Sequence, residues 1–362
     1  MENNNESTNF ETYLKERSKY IDEIIKTYLS KESSDKYIYK LLGRSGYEYD
    51  HDAINKGILE PAWYLLSMGG KRWRPTLMLL IIEALGKDPN EFIEFSLIPE
   101  IIHNSTLVHD DIEDNSSVRR GMPAVHTKHG VDIALNLGDW LYFFPIVTLI
   151  DSPKLSKYTK DKLLSIYVRE MLRVSTGQAI DIVWHNHLVD PLKITESNYL
   201  QMVYSKTGVL ARMASEMGAT LADADEKTIE ALGNLGATIG VAFQIEDDIL
   251  NIVPSKLADN KGGVGDDISE GKLTLMVIYA LRHLDVKKRD RLLNILKMHT
   301  QDKALINEAI ALINEAGAVE YAKSEAKRIM NEAWDNVDKL LKPSPAKEKI
   351  KELTQFLINR NI

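Results

Sequence analysis

Apolar residues recur at helical spacing along almost all of this 362-residue chain, and alternating β-branched runs closed by Asn-Gly or Asp-Gly are nearly absent. That pattern constrains the chain to a helical fold. TLMLLIIEALG (76–86) is apolar nearly all round and ends in glycine, as a buried helix with a C-cap does. PEIIHNSTLVHDDIED (99–114) carries Ile101, Ile102, Val108 and Ile112 close to a 3.6-residue period. NLGATIGVAFQIEDDIL (234–250) repeats the pattern with Leu235, Ile239, Phe243 and Leu250. Its Gly236, Ala237, Gly240 and Ala242 leave room for another helix or a chain-like ligand.

Breaks fall at 43–52, 115–125, 185–195, 254–271 and 343–347, none with the length or low complexity of an interdomain linker. The expectation is one large all-α domain with a helical core over 13–362, after a disordered polar lead over 1–12. The charged end, 320–362, reads as amphipathic surface helices. LTLMVIYAL (273–281) is the most apolar run and is too short to cross a bilayer, so no transmembrane segment is expected. A net charge of −8 argues against nucleic acid or an anionic membrane as partner. The chain has no cysteine, which excludes thiol nucleophiles, disulfides and cysteine-zinc sites and suits a cytoplasmic protein.

Chemistry concentrates in LVHDDIEDNSSVRRG (107–121), where four carboxylates fall within five residues and two arginines follow. Asp110 and Asp114 are four apart and share a helix face about 6 Å from each other. Asp247 and Asn251 repeat the spacing, with Asp111 and Asp248 beside the first member of each pair. Like charges on one face repel, and a divalent cation removes that repulsion; hard oxygen donors of this kind suit Mg2+ with substrate phosphates. A solvated acidic face explains either cluster alone. Two such clusters at the ends of apolar helices, with Arg119 and Arg120 after the first, fit metal between acids and an anion on arginines. GGKRWRP (69–75) adds Lys71, Arg72 and Arg74 around a possible phosphate, with Pro75 suited to a first helical turn. YSKTG (204–208) and EGK (270–272) add Lys206, Thr207 and Lys272, with Lys261 in the loop between.

GGKRWRP, HDDIEDNSSVRRG, TGQAIDI (176–182), SKTG, FQIEDDILN (243–251) and EGK, in that order, resemble the trans-isoprenyl diphosphate synthases, most of all the eukaryotic-type geranylgeranyl diphosphate synthases. The resemblance implies an all-helical, homodimeric enzyme that extends allylic diphosphates (dimethylallyl, geranyl, farnesyl) with isopentenyl diphosphate. It implies Mg2+, three ions per site, on Asp110, Asp114 and Asp247, with Asp248 sharing a metal or standing behind one. Arg119, Lys206, Thr207, Gln244, Lys261 and Lys272 would contact the allylic diphosphate. Lys71, Arg74, His103 and Arg120 would hold isopentenyl diphosphate, and Gln178 and Asp181 would line the site. Asn251 stands where farnesyl synthases carry aspartate, and the loop from Lys261 to Lys272 is one residue longer than in the eukaryotic subgroup.

Product length would be set along the helix bearing Asp110. Ser105 and Thr106, five and four residues earlier, are small, which predicts a tunnel open past the farnesyl stage. Ile102, Ile98 or the aromatics of LGDWLYFFP (137–145) would stop the chain deeper. Geranylgeranyl diphosphate is the expected product, with C25 or longer as the alternative. A class I terpene cyclase and a di-iron bundle, the latter from Glu48–His51 and Glu100–His103, are the rivals.

Overall fold

The computed structural model describes residues 2–253 and 264–358, so Lys261 lies outside the described residues. The chain divides into two compact units, Met1–Ile166 with Met217–Ala224, and Tyr167–Glu216 with Asp225–Ile362.

The first unit carries α1 (Glu2–Tyr28), α2 (Asp35–Leu42), α3 (His51–Ile54), α4 (Glu60–Ser67), α5 (Trp73–Ala84), α6 (Leu97–Glu113), α7 (Val125–His129), α8 (Val131–Phe143) and α9 (Val147–Ile150). Helix α1 takes in most of the segment expected as a disordered lead. Its buried stripe of Phe10, Leu14, Ile21, Ile25 and Leu29 reaches into that segment and extends the helix toward the N-terminus. Helix α5 is buried almost all round, as its sequence predicts. Helix α6 packs against α5 and α8, with Leu97, Ile98, Ile101, Ile102 and Val108 fully buried. Each such side chain contributes roughly 1.5–3 kcal/mol.

By length and composition alone, Val131–Ile150 is long and apolar enough to cross a membrane. Interspersed polar residues kept it from standing out as an uninterrupted run. Here it is α8, a 3-10 turn at Phe144–Ile146 and α9, and Ala134, Leu137 and Leu141 pack into the core of the first unit.

A long helix, α10 (Lys157–His185), leads into the second unit, which carries α11 (Glu196–Val203), α12 (Val209–Leu221, its last turn in the first unit), α13 (Glu226–Ile252), α14 (Asp266–Ser269), α15 (Leu275–His283), α16 (Val286–Lys297), α17 (Lys303–Glu315), α18 (Ala318–Asp338) and α19 (Pro345–Ile358). Helix α13 is the axis of this unit. The small residues noted in the sequence admit other helices: a Cβ at Gly236 would lie 2.4 Å from the Ala211 carbonyl, and one at Gly240 2.5 Å from Gly208 Cα. Helix α18 packs against α13 and buries Ala322, Ala326 and Met330, so the charged end is amphipathic as expected. The buried ammonium of Lys347 caps α18, donating to the Asp338 and Leu341 carbonyls at 2.6 and 3.0 Å.

Candidate active site

In the first unit the acidic motif closes α6. Asn115 adopts φ 52°, and Asn115 N and Ser116 N donate to the Ile112 and Asp111 carbonyls, a Schellman end. The last turn, with Asp114 N on Asp110 O at 2.8 Å, puts Asp110 and Asp114 on one half-buried edge, as the spacing predicts. Several carboxylates at a helix C-terminus oppose the helix dipole, which adds to the demand for a cation. Asp111 turns inward, is buried, and accepts from Arg119 Nε at 2.8 Å and from Arg119 Nη2. Burial nonetheless pushes its carboxyl above the usual range.

Two-residue strands, β1 (Val118–Arg119) and β2 (Met122–Pro123), pair antiparallel around Arg120 and Gly121, both at positive φ. That is the I′ geometry of a tight hairpin. The strands are too short to show alternation, so the segment read simply as a break. The hairpin delivers Arg120 to the turn before α5, where Nη1 donates to the Gly69 carbonyl.

That turn, GGKRWRP, differs from expectation in one residue. Arg72 is not turned toward a phosphate: its side chain is buried on the carboxylates of Asp22 (3.0 Å) and Glu100 (2.6 Å). Arg74 lies over the Trp73 ring at 4.4 Å. His103, on α6, is surrounded by positive charge. Burial and the guanidinium groups of Arg74, Arg120, Arg72 and Arg119 hold its imidazole well below the usual range, so it is neutral at pH 7. Arg74 and Arg120 thus lie near enough to His103 for their charge to act on its imidazole.

The chain-length residues lie between α6 and α8. Ser105 is fully buried and its hydroxyl donates to the Gly138 carbonyl at 2.6 Å. Thr106 Oγ1 turns back to the His103 carbonyl, and Ile102 is buried. A Cβ at Gly138 would lie 2.4 Å from His109 Cε1, and Tyr142 stacks on His109 at 5.0 Å. Trp140 of α8 stacks on Phe144 of the following 3-10 turn against the core, whereas Phe143 is exposed.

In the second unit SKTG forms a π-turn, Tyr204–Gly208, of the kind frequent at functional sites. Gly177 lets α10 approach it: a Cβ there would strike Lys206 N at 2.4 Å. Lys206 Nζ donates to Asp181 at 2.6 Å, and Thr207 donates to Gln244 Oε1 at 3.1 Å. Asp247 is half-buried on α13. Asp248, the next residue, is buried. Both its oxygens accept hydrogen bonds, from Gln244 Nε2 (2.8 Å) and Tyr199 Oη (2.7 Å), and burial beside Asp267 favours its protonated form. It braces the helix that carries Asp247. Asn251 is structural too, accepting from Asp267 N at 3.1 Å and Gly265 N at 2.8 Å. Lys272 pairs with Glu270 and stands 3.7 Å from Asp267. Asp267, raised by its burial, was missed; its signal was the acid pair in DDISEGK. Tyr199 had no signal in sequence.

Among the described residues no three His, Cys, Asp or Glu side chains gather into a preformed metal cage. Carboxylate pairs alone still fit Mg2+, which keeps several waters and takes one or two protein oxygens plus phosphates. The di-iron set does not assemble. Glu100 pairs with Arg72, and His51 lies between Ser33 (2.7 Å) and Asp35 (3.2 Å). Of the other histidines, His185 and His187 are half-buried, with His187 edge-on to His299 at 5.8 Å.

Residues 55–313 match the family model described as polyprenyl synthetase. The short chain isoprenyl diphosphate synthase of Methanothermobacter thermautotrophicus is 36% identical over 85% of this chain and 92% of its own length. The geranylgeranyl diphosphate synthase of Methanosarcina mazei is 33% identical over 82% and 88%. Among solved structures, the geranylgeranyl pyrophosphate synthetase of Pyrococcus horikoshii superposes with a TM-score of 0.82 at 30% identity, covering 98% of this chain and 99% of that one.

Proposed function

This chain belongs to the polyprenyl synthetase family, the trans-isoprenyl diphosphate synthases, and we propose that it condenses isopentenyl diphosphate with allylic diphosphates to give geranylgeranyl diphosphate. The observation that carries this reading lies on one helix. Helix α6 ends in the Asp110–Asp114 edge and, two turns (about 10 Å) earlier, presents neutral His103 among arginines. Those are two different handles for polyanions.

In this reading Lys71, Arg74, His103 and Arg120 bind the diphosphate of isopentenyl diphosphate. Arg119, Lys206, Thr207, Gln244 and Lys272 bind the allylic diphosphate, and Lys261 joins them from outside the described residues. Asp110, Asp114 and Asp247 would hold Mg2+, which the family uses, three ions by the family pattern. When bound, Mg2+ supplies positive charge to the leaving diphosphate. The lysines and arginines stabilise the same charge as the allylic C–O bond breaks. The double bond of isopentenyl diphosphate attacks the allylic cation, and the departing diphosphate takes the released proton. Ordering the two substrates supplies much of the rate, and no side-chain nucleophile is required.

Small Ser105 at the α6–α8 contact supports a C20 product. A C25 or longer product is the alternative, and the geranylfarnesyl diphosphate synthase of Natronomonas pharaonis is 30% identical. A terpene cyclase has no use for the second pocket around His103. The exposed Val131, Leu135 and Phe143 of α8 support a homodimer, and the absence of cysteine supports a cytoplasmic enzyme.

The test is incubation of the pure protein with Mg2+, isopentenyl diphosphate and each allylic primer, with chain lengths read by chromatography. Consumption of isopentenyl diphosphate with a C20 product is expected. Cyclic hydrocarbon formed from an allylic diphosphate alone would overturn the proposal.

A further inference from the structure

Arg72 sits in the basic turn yet offers the pocket no guanidinium, and its surroundings explain why it is there. It holds φ 48° and ψ 34°, the left-handed region, where a non-glycine side chain is strained. Its Nε donates to Asp22 on α1 and its Nη1 to Glu100 on α6. Glu100 also accepts from Asn104 Nδ2 at 2.9 Å, one turn along the same helix. A Cβ at Gly70, where φ is 154°, would lie 2.9 Å from Arg72 Nη1, so the turn is shaped around this buried fork. Glu100 and His103 are three apart on α6 and share a face. Pinning Arg72 to Glu100 therefore brings the neighbouring Lys71 and Arg74 to the level of His103.

We propose that the Asp22–Arg72–Glu100 bridge is a positioning device: Arg72 touches no substrate and fixes the turn so that Lys71 and Arg74 converge on the diphosphate beside His103. The inference rests on the reading of that pocket as the isopentenyl diphosphate site. Helix α1, which lies outside the family match, becomes part of the binding apparatus through Asp22.

Steady-state kinetics of Asp22→Asn and Arg72→Lys test it, with Lys71→Ala and Arg74→Ala as controls on the pocket. The Asp22 carboxylate is 41% exposed, so Asp22→Asn perturbs folding little. Removing its negative charge by itself favours a nearby anion, and freeing a substrate-binding arginine would do the same; both lower KM for isopentenyl diphosphate. Loss of positioning raises it. The expected result is a rise of about fivefold or more in that KM for Asp22→Asn and Arg72→Lys, with kcat and the allylic KM within about twofold. A fall in KM, no change, or an equal rise for both substrates overturns the proposal while the controls keep the pocket assignment. If Lys71→Ala and Arg74→Ala also leave KM for isopentenyl diphosphate unchanged, the pocket assignment fails and the proposal with it.

Discussion

Asp111 and Arg119 are bound to each other beneath the acidic edge of α6, the carboxylate buried and the guanidinium 27% exposed. The pair explains why the motif carries an acid that faces away from its neighbours. It also makes the two partners unequal. Arg119→Ala leaves Asp111 as a buried, uncompensated carboxylate, whereas Asp111→Asn leaves Arg119 near Asp110 and Asp114 and partly in water. Arg119→Ala should cost roughly 2–4 kcal/mol of folding stability and Asp111→Asn about 1 kcal/mol. Urea denaturation of both variants measures this; equal losses would mean the pair is not the buried element described.

Ser105→Phe should shorten the product, because a bulky ring five residues before Asp110 would obstruct the proposed path of the growing chain along α6. The structure adds a second consequence. Ser105 is fully buried with its hydroxyl on the Gly138 carbonyl, so the larger ring overpacks the α6–α8 contact at about 1–3 kcal/mol. Product profiling and a thermal melt separate the two effects. A destabilised variant that still makes the wild-type product would refute the placement of the chain-length stop.

Turnover should depend on the acids at the ends of α6 and α13. Asp110→Ala and Asp247→Ala are each expected to lower kcat by about a thousandfold or more, with far-UV circular dichroism unchanged, since both residues sit on half-buried edges. Asn251→Ala should behave differently. It removes the acceptor for Asp267 N and loosens the start of α14, so it should lower the melting temperature more than either aspartate change does. Full turnover in Asp110→Ala would remove the metal reading of the first motif.

Much of this site was legible because its motifs sit where sequence signals are strongest. The helical period placed Asp110 and Asp114 on one edge, and the basic residues Arg74 and Arg120 lie near enough to His103 to act on its charge. Arg72 was misjudged because a basic residue in a glycine-rich turn gives no sign that two distant carboxylates, Asp22 and Glu100, claim it. Tyr199 was invisible for the same reason: its bond to Asp248 joins residues far apart in the chain. The small residues of α13 were ambiguous between helix and ligand, and only the contacts with Ala211 and Gly208 decided for the helix.

Glu170 gives a pH signature remote from substrate chemistry. It is buried on α10 with Arg173 beside it, Arg212 Nε at 3.6 Å, and Glu216, itself paired with Arg212 at 2.5 Å. Burial and the nearby Glu216 raise its carboxyl to about 7, against 4.5 ordinarily. Between those values the folded chain keeps a proton that the unfolded chain has lost. The contribution is therefore fully present below the unfolded value and is lost as pH rises through 7, so stability falls across the window. Glu170→Gln keeps the neutral shape and removes the titration. The difference in unfolding free energy, wild type minus variant, should fall by on the order of 2 kcal/mol from pH 5 to pH 7.5. Urea titrations at the two pH values measure it. A constant difference would mean that Glu170 ionises as readily in the folded chain as in the unfolded one, and that Arg173 and Arg212 compensate its burial in full.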